Sequence, residues 1–409
     1  MKHLIILNHQ PDIPPFMVSD MKYAPAYFEH IWYVNTRCPI NVRLFQNNEK
    51  YSFLYPTSLE REFAKVKAFF YFFTLQSIRQ LYQFIKTNGI KIKYLKQLAK
   101  FYAADACIRP LAQKILNKID NENIVVLSTW FGGCAFSAAW LRKKNTKIKA
   151  YSLAHSYEIL VSRDPYIPYH FVNFKHEHLN GVFFIAETMR QLYFEGVRGL
   201  KEEYINNTYV SYLGSIKDDS LLNKTNKDCF NICSCSRMIP LKRLEVLCEA
   251  LRGWSICKIK WTHIGGGETE EEIRKRANAI TNANPSVTIE ISGHKTNKEV
   301  KEYYKTNPVD LFCNLSSIEG VPVSIMEAIS YGIPVMATDV GGTKEIVTEE
   351  VGVLLDSNIN PEIVRNALEK YYLQPEFFKE SLRHSAYSFW DTHFNAEKNI
   401  PHFLQSISS

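Results

Sequence analysis

Nowhere in the 409 residues does an uninterrupted apolar run approach the ~18–20 residues needed to span a bilayer, so the chain is expected to be soluble or peripheral. The nine cysteines, at positions 38, 107, 134, 229, 233, 235, 248, 257 and 313, include no Cys-x-x-Cys pair. Most fall in expected strands or helices, where a free thiol acts as a small apolar residue; this argues against zinc and for a reduced, cytoplasmic compartment. A dinucleotide fingerprint is missing too, because Gly265-Gly266-Gly267 is followed by Glu270 where a further glycine belongs. His176-Glu177-His178 is no metal pair, since neighbouring helical positions point to different faces. The opening residues 1–8 lack a cleavage site and carry too short an apolar stretch for a signal peptide, so they are expected to form a first strand.

What is present fits a globular chain of two domains, each of about 200 residues. Hydrophobic residues make up 46% and charged residues 22%, which excludes a disordered chain. Charge is unevenly placed. Lys and Arg outnumber Asp and Glu by 27 to 16 in residues 1–215, and are outnumbered by 26 to 22 beyond them. A basic half can face nucleic acid, anionic lipid or an anionic substrate. No recognised nucleic-acid module accompanies it.

Apolar runs alternate with helical periodicity, which predicts an α/β fold with parallel sheets. Expected strands cover residues 31–36, 42–45, 124–130, 149–154, 182–187, 211–215, 229–236, 259–264, 287–292, 311–315, 334–337 and 351–355. Residues 60–118 read as long helix, rich in Lys, Phe and Tyr. Phe69-Phe70-Tyr71-Phe72-Phe73, with Lys65, Lys67, Lys86, Lys91, Lys93, Lys96 and Lys100, is either a surface for an anionic membrane or a buried aromatic helix followed by a solvated basic one; the second reading is the one adopted. A polar stretch at 216–228 is expected to link the domains.

The most informative stretch begins at the end of the expected strand 311–315. Glu319 falls on the turn, Val323 to Ser330 has helical spacing, and Gly341-Gly342 is expected to open onto another helix. Ligands of open α/β sheets gather at such strand ends, where free helix N–H groups favour an anion. Glu319 and Glu327 are eight positions apart, which on a continuous helix places them ~80° apart on one side. Two carboxylates there suit a polyhydroxylated ligand; a capping Glu319 and a solvated Glu327 is the plainer alternative. Arg237 and Lys242 leave a strand-to-helix turn together and could grip a diphosphate, or be solvated loop cations. His155 ends the expected strand 149–154, where a structural hydrogen bond is the commoner role.

Ser317-x-Glu319-Gly320-x-Pro322-x-Ser324-x-x-Glu327-Ala328, continued by Gly332-x-Pro334-Val335-x-Ala337-Thr338 and Gly341-Gly342-x-x-Glu345, resembles the donor-site signature of family 4 glycosyltransferases. Ser236-Arg237-x-x-Pro240-x-Lys242-Arg243 is similar to that family's phosphate-binding turn. Ala154-His155-Ser156-Tyr157-Glu158 resembles its Ala-His-Gly-Tyr-Asp, with Ser and Glu in place of Gly and Asp. The Pro-rich loop at 9–16 departs from the loop that many relatives carry there.

The resemblance implies a GT-B fold: two Rossmann-like doubly wound domains facing across a cleft. Residues 1–212 would bind the acceptor, 213–228 would link, 229–384 would bind a nucleotide-sugar, and helices in 385–409 would pack back on the first domain. It implies a retaining transferase moving sugar from a UDP- or GDP-sugar to a saccharide or lipid-linked acceptor, in surface polysaccharide, lipopolysaccharide or capsule synthesis. Arg237 and Lys242 would stabilise the leaving diphosphate. Glu319, with Gly320, Val321, Pro322 and Val323, would hold the sugar, and Glu327 would accept from ribose. Gly265, Gly267, Gly293, His294 and Asn297 would border the nucleotide, and Gly341 and Gly342 would offer backbone donors. His155 would hydrogen-bond the sugar, and Arg163 could meet an acceptor phosphate, though an ordinary surface role is the plainer reading. No cofactor or metal is expected, no nucleic acid, and at most a peripheral contact with the inner face of the plasma membrane. A sugar-nucleotide epimerase or hydrolase of the same fold, or a non-catalytic sugar-nucleotide scaffold, are the rival readings.

Overall fold

The computed structural model describes residues 2–89, 91–119, 123–159, 171–197, 200–217, 223 and 228–409. Among the described residues, thirteen strands form two all-parallel sheets. In the first, β1 (His3–Asn8), β2 (His30–Asn35), β3 (Tyr51–Leu54), β4 (Ile124–Ser128), β5 (Lys149–Ala154), β6 (Gly181–Phe184) and β7 (Thr208–Val210) lie in the order β3-β2-β1-β4-β5-β6-β7. In the second, β8 (Phe230–Cys235), β9 (Ile259–Ile264), β10 (Val287–Ile291), β11 (Leu311–Asn314), β12 (Val335–Thr338) and β13 (Gly352–Leu355) run β10-β9-β8-β11-β12-β13. Parallel pairing requires a crossover between strands, and the crossover helices bury the central strands, while the edge strands β3, β7, β10 and β13 keep exposed or half-exposed residues. That is why β4, β6, β11 and β12 read as unbroken apolar runs with every residue buried.

Contact density divides the chain into one unit of Met1–Ser211 with Ile400–Ser409 and another of Tyr212–Asn399. In the first, the helices Ile92–Leu116 and Gly133–Lys144 pack on the sheet and on each other. In the second, Trp254 and Trp261 are fully buried in a core shared by Leu244–Arg252, Glu270–Ala283 and Pro361–Tyr372. The helix Glu376–His393 packs on Val323–Ser330, and the buried Arg383 donates to the carbonyls of Gly332 and Val309. Residues 385–399 therefore group with the second unit rather than the first. Only from Ile400 does the chain join the first unit, where Phe403 meets Phe183 edge-on at 5.1 Å. Part of the expected linker, 218–222 and 224–227, lies outside the described residues, as does Arg163.

Several local expectations are corrected. The last strand of the first sheet is Thr208–Val210 rather than 211–215, where Ser215 makes only an isolated bridge to Asn395. Residues 42–45 are no strand but a 3-10 turn, Val42–Leu44, closed by Phe45 N–H to the Val42 carbonyl at 3.1 Å. The third strand of that edge is instead Tyr51–Leu54, paired with β2. Gly341-Gly342 opens not onto a helix but onto a single 3-10 turn, Thr343–Glu345. The long helix expected over 60–118 is three, Ser58–Tyr71, Leu75–Asn88 and Ile92–Leu116, broken by a turn at 72–74 and by Gly89. All nine cysteines are free thiols.

Candidate functional site

Strand order in the second sheet reverses between β8 and β11: β9 and β10 lie beyond β8, while β12 and β13 lie beyond β11. At such a switch point the loops leaving two neighbouring strands turn apart and expose their carboxyl ends, which is where doubly wound sheets bind ligands. The loops after β8 and β11 carry Arg237, Lys242 and Glu319. They are stitched together, since Ser317 N–H donates to the Leu241 carbonyl at 2.8 Å.

Across this seam Lys242 Nζ donates to Glu319 Oε1. Ser316 Oγ, 2.6 Å away, and Asn314 Nδ2, 3.4 Å away, address the same oxygen. Oε2 of Glu319 takes no hydrogen bond among the described residues. The carboxylate is only 7% exposed, so one oxygen is fixed and the other is left for an incoming donor. Arg237 is exposed, and its guanidinium has no partner among the described residues.

Arg243, adjacent to Lys242, is a bracing residue to which sequence reasoning gave no role. Its backbone sits in the left-handed region at φ +48°, an uncommon conformation for a non-glycine residue. Its guanidinium donates to the carbonyls of Leu315 at 2.6 Å, Ser316 at 2.8 Å and Ser357 at 2.8 Å. One side chain thus ties the turn after β8 to the exit of β11 and to the loop after β13. A second Arg beside a Lys reads as surface charge in sequence, and nothing local announces three carbonyls so far along the chain. Arg243→Ala should lower the stability of this unit by about 3 kcal/mol, because hydrogen bonds to a charged donor are each worth ~1.5–3 kcal/mol. Denaturant unfolding checks it; a midpoint unchanged from wild type would refute the bracing role.

Two glycines set how closely the loops approach. At Gly341, φ is +57° and a Cβ would stand 2.0 Å from the Glu319 carbonyl oxygen. At Gly265, φ is +145° and a Cβ would stand 1.8 Å from the Ser236 carbonyl. The Gly265–Gly267 turn therefore lies against residues 236–238, with Met238 N–H donating to the Gly266 carbonyl at 2.9 Å and Gly267 packed on Met238. Gly265 N–H donates to Gly293, and Gly342 N–H donates to Gly320 at 2.7 Å. The helix Val323–Ser330 starts without a side-chain cap; Ile325 and Met326 N–H donate to the Pro322 carbonyl at 3.0 and 3.4 Å, which leaves the N–H groups of Val323 and Ser324 for a ligand. Val321 and Pro322 are buried behind it, and Val323 is 40% exposed.

The helical spacing used to link the two glutamates does not relate them. Glu319 lies in the turn ahead of the helix, so helical rotation does not relate it to Glu327, which is the fifth helical residue. Glu327 is half-buried and accepts from Asn297 Nδ2 at the start of the helix Asn297–Thr306. Burial raises its carboxyl above the usual range, with Asn297 and Lys301 pulling it down. Burial also pushes the Cys235 thiol at the end of β8 up to about 12, Glu327 adding to the rise and Lys242 opposing it. Both side chains are thus within electrostatic reach of one sulfur. His294, on the loop after β10, is exposed. Among the described residues, no three His, Cys, Asp or Glu side chains gather as a metal-binding group.

His155 belongs to the first unit, where it follows β5 beside the switch between β1 and β4. It is 6% exposed, packed on Phe16 at 4.4 Å and Trp130 at 4.8 Å, and its Nε2 has no hydrogen-bond partner among the described residues. Burial lowers its pKa to about 4, against a smaller rise from the Thr129 backbone. Glu158, held by the backbone N–H of His155 at 3.4 Å, is raised to about 7 by burial. Lys175, buried and lowered by that burial to about 7, donates to the Phe131 carbonyl at 2.6 Å and covers the Phe131 ring. No local pattern marks this lysine, which sits in a polar helix that reads as solvated. His176, whose Nε2 lies 2.9 Å from the Tyr193 hydroxyl, is a core residue.

An unfolded histidine takes up its proton near pH 6.5, whereas buried His155 resists until about 4. The stability this burial confers is therefore complete above 6.5 and lost as pH falls toward 4. The ring resonances of His155 should hold one position from pH 8 to about 5 and move only near 4. A midpoint near 6.5 in the NMR titration would contradict the burial.

With this geometry in hand, comparison with known proteins gives a consistent class. Residues 217–388, less than half the chain, match the family model Glycosyl transferases group 1. The amylovoran biosynthesis glycosyltransferase AmsK of Erwinia amylovora is 30% identical over 129 residues, covering 29% of this chain and 30% of that one. The O-antigen biosynthesis glycosyltransferase WbnH of Escherichia coli is 30% identical over 138 residues, covering 34% and 37%. The match thus spans about a third of the length of these curated relatives. In architecture, the crystal structure of Anabaena HepE in complex with UDP aligns over 100% of both chains with a TM-score of 0.69 at 14% identity. The fold is accordingly GT-B in class, with two parallel-sheet Rossmann-like domains.

Proposed function

We propose that the protein is a retaining glycosyltransferase of family 4, moving a sugar from a UDP- or GDP-sugar to a saccharide or lipid-linked acceptor in surface polysaccharide synthesis. The observation that carries this is the seam between β8 and β11, where an exposed Arg237, a Lys242–Glu319 pair and an uncapped helix start converge. The names of the matched relatives, for amylovoran and O-antigen synthesis, favour the same class of product. The UDP in the HepE structure makes uridine the first base to try.

In this reading Arg237 and Lys242 neutralise the charge that grows on the leaving diphosphate, a contribution that falls on the transition state and so on kcat. Diphosphate neutralisation rests on these side chains without a bound divalent ion. Lys242 must then share or exchange its contact with Glu319 as the diphosphate arrives. Glu319 Oε2 accepts from a sugar hydroxyl, backed by the backbone from Gly320 to Val323. Gly341 and Gly342 lend backbone donors, and Gly265, Gly267, Gly293 and His294 border the nucleotide. Transfer with retention proceeds by attack on the face the diphosphate leaves, and no covalent nucleophile is assigned. In the first unit His155, neutral at physiological pH with Nε2 unpaired among the described residues, offers a hydrogen bond to a sugar hydroxyl.

Glu327 accepts from the ribose in this scheme, displacing or sharing Asn297. Glu327→Gln should weaken nucleoside diphosphate binding about tenfold, the equivalent of ~1.4 kcal/mol for one charge-assisted hydrogen bond, with little change in kcat. Isothermal titration with UDP and GDP measures it; affinity within twofold of wild type would remove Glu327 from the site. The activity itself is tested with labelled UDP- and GDP-sugars and native lipid extract. Label in the extract supports transfer, free sugar indicates a hydrolase, and binding without turnover indicates a scaffold.

A further inference from the structure

A second surface, in the first unit, has a different chemistry. The helices Ser58–Tyr71 and Leu75–Asn88 carry apolar residues over more of their circumference than a solvated helix on a folded domain needs, an inner stripe and an outer one that on Leu75–Asn88 merge into a single broad face. The inner stripes do the packing: Ala64 and Ala68 are buried, and Tyr71, Phe72, Leu81 and Phe84 lie against a cluster centred on Tyr94, Leu98 and Tyr102. The outer stripes have the same helical spacing and, among the described residues, nothing over them. Leu59, Phe63, Val66 and Phe70 on one helix are 66, 65, 57 and 63% exposed, and Leu75, Ile78, Tyr82 and Ile85 on the other are 75, 50, 67 and 40% exposed. At the turn joining the helices Phe69 and Phe73 are also exposed, with ring centroids 5.3 Å apart. The buried-helix reading of this segment is thereby overturned for three of its five aromatics, Phe69, Phe70 and Phe73.

This tip is held rather than loose. Thr74 caps the second helix, Thr74 Oγ1 donates to the Tyr71 carbonyl at 2.9 Å, and Ser77 Oγ donates to the same carbonyl at 2.6 Å. Arg109 donates to the Tyr71 hydroxyl at 2.6 Å from the Ile92–Leu116 helix behind. A fixed turn thus presents phenylalanines outward, in an arrangement that contiguous exposure of this extent marks as an interaction site.

Charge selects the occupant. From Ser58 to Lys100 the chain carries nine Lys or Arg against two acidic residues, Glu60 and Glu62, the latter paired with Lys65 at 2.6 Å. Exposed Lys86, Lys91, Lys93 and Lys96 continue from the outer stripe of Leu75–Asn88 into the next helix. A second copy docking by the same face would set one cationic surface against another, because a two-fold contact pairs a patch with itself. An anionic bilayer meets both demands at once, apolar depth for the phenylalanines and negative headgroups for the lysines. No described helix is long and apolar enough to cross a membrane. We infer that the outer face of Ser58–Asn88, led by Phe69, Phe70 and Phe73, inserts into the headgroup region of an anionic lipid bilayer. The inference goes beyond the proposed transfer activity and is independent of it, so either can fail alone.

Flotation of the full chain with vesicles of phosphatidylcholine, alone or mixed with phosphatidylglycerol, tests it. Binding should require phosphatidylglycerol and weaken as salt is raised. Phe69→Ser with Phe70→Ser should weaken partition about a hundredfold, since each loses most of the transfer free energy of an inserted aromatic ring. These rings are exposed, so the thermal midpoint should stay at the wild-type value, which separates lost docking from lost folding. Lys91→Gln, Lys93→Gln and Lys96→Gln together should weaken partition by at least tenfold and flatten its salt dependence. Absence of flotation, equal flotation with uncharged vesicles, or partition unchanged by the Phe variant would overturn the inference. So would a lipid-free oligomer, seen by sedimentation, that the Phe variant disperses.

Discussion

Lys242→Ala should reduce sugar transfer at least a hundredfold in kcat, about 3 kcal/mol of barrier, and should also destabilise the second unit. The two effects have separate origins. Glu319 is 7% exposed and leans on Lys242, so removing the ammonium strands a carboxylate among Ser316 and Asn314. Breaking such a pair from one side costs about 3 kcal/mol, mostly because the remaining charge keeps its desolvation penalty. Replacing Glu319 by Gln as well takes that charge away, and Lys242→Ala/Glu319→Gln should recover most of the lost stability. It should recover none of the rate, because the diphosphate still lacks its cation. Arg237→Ala, from an exposed position without partners among the described residues, should lose rate with stability unchanged. Denaturant midpoints beside single-turnover rates separate the two losses. Near-normal transfer in both single variants would dismiss the phosphate assignment.

Gly341→Ala is the second large effect. The residue holds φ +57°, and its Cβ would meet the Glu319 carbonyl oxygen at 2.0 Å and the Gly320 oxygen at 3.2 Å. A left-handed alanine alone costs about 1 kcal/mol. The backbone clash costs more, since two loop backbones cannot both stay where they are. The loop after β11 would be pushed away from the loop after β12, and Glu319 would leave its place beside Lys242. Loss of nucleoside diphosphate affinity by more than tenfold is expected, along with a lower thermal midpoint. Wild-type affinity in Gly341→Ala would show that the loop spacing does not shape the site.

Much of this was legible because strand ends and motif positions coincide. Buried parallel strands are apolar runs, so β8, β11 and β12 could be placed to within a residue or two, and with them the loops that bear Arg237, Lys242 and Glu319. Partnerships across the chain were not legible. That Asn297 holds Glu327, that Arg243 gathers three carbonyls, and that Lys175 is buried all depend on tertiary neighbours that no local pattern encodes. The geometric link drawn between Glu319 and Glu327 failed because a helical period was applied across a turn. Tyr51–Leu54 escaped notice as an edge strand of mixed character, held in place by its register on β2. The aromatic segment at 69–73 failed differently. Burial follows composition on average, yet here the outer phenylalanines stand clear of the described core.

We propose one diphosphate-binding seam, at the switch point of the second sheet. Titration of UDP and GDP into the wild-type chain, Arg237→Ala and Lys242→Ala by calorimetry addresses it most directly. Saturable binding of at least one nucleotide, weakened tenfold or more in each variant, is the predicted result. Binding by neither nucleotide, or affinity that both variants leave unchanged, would contradict it.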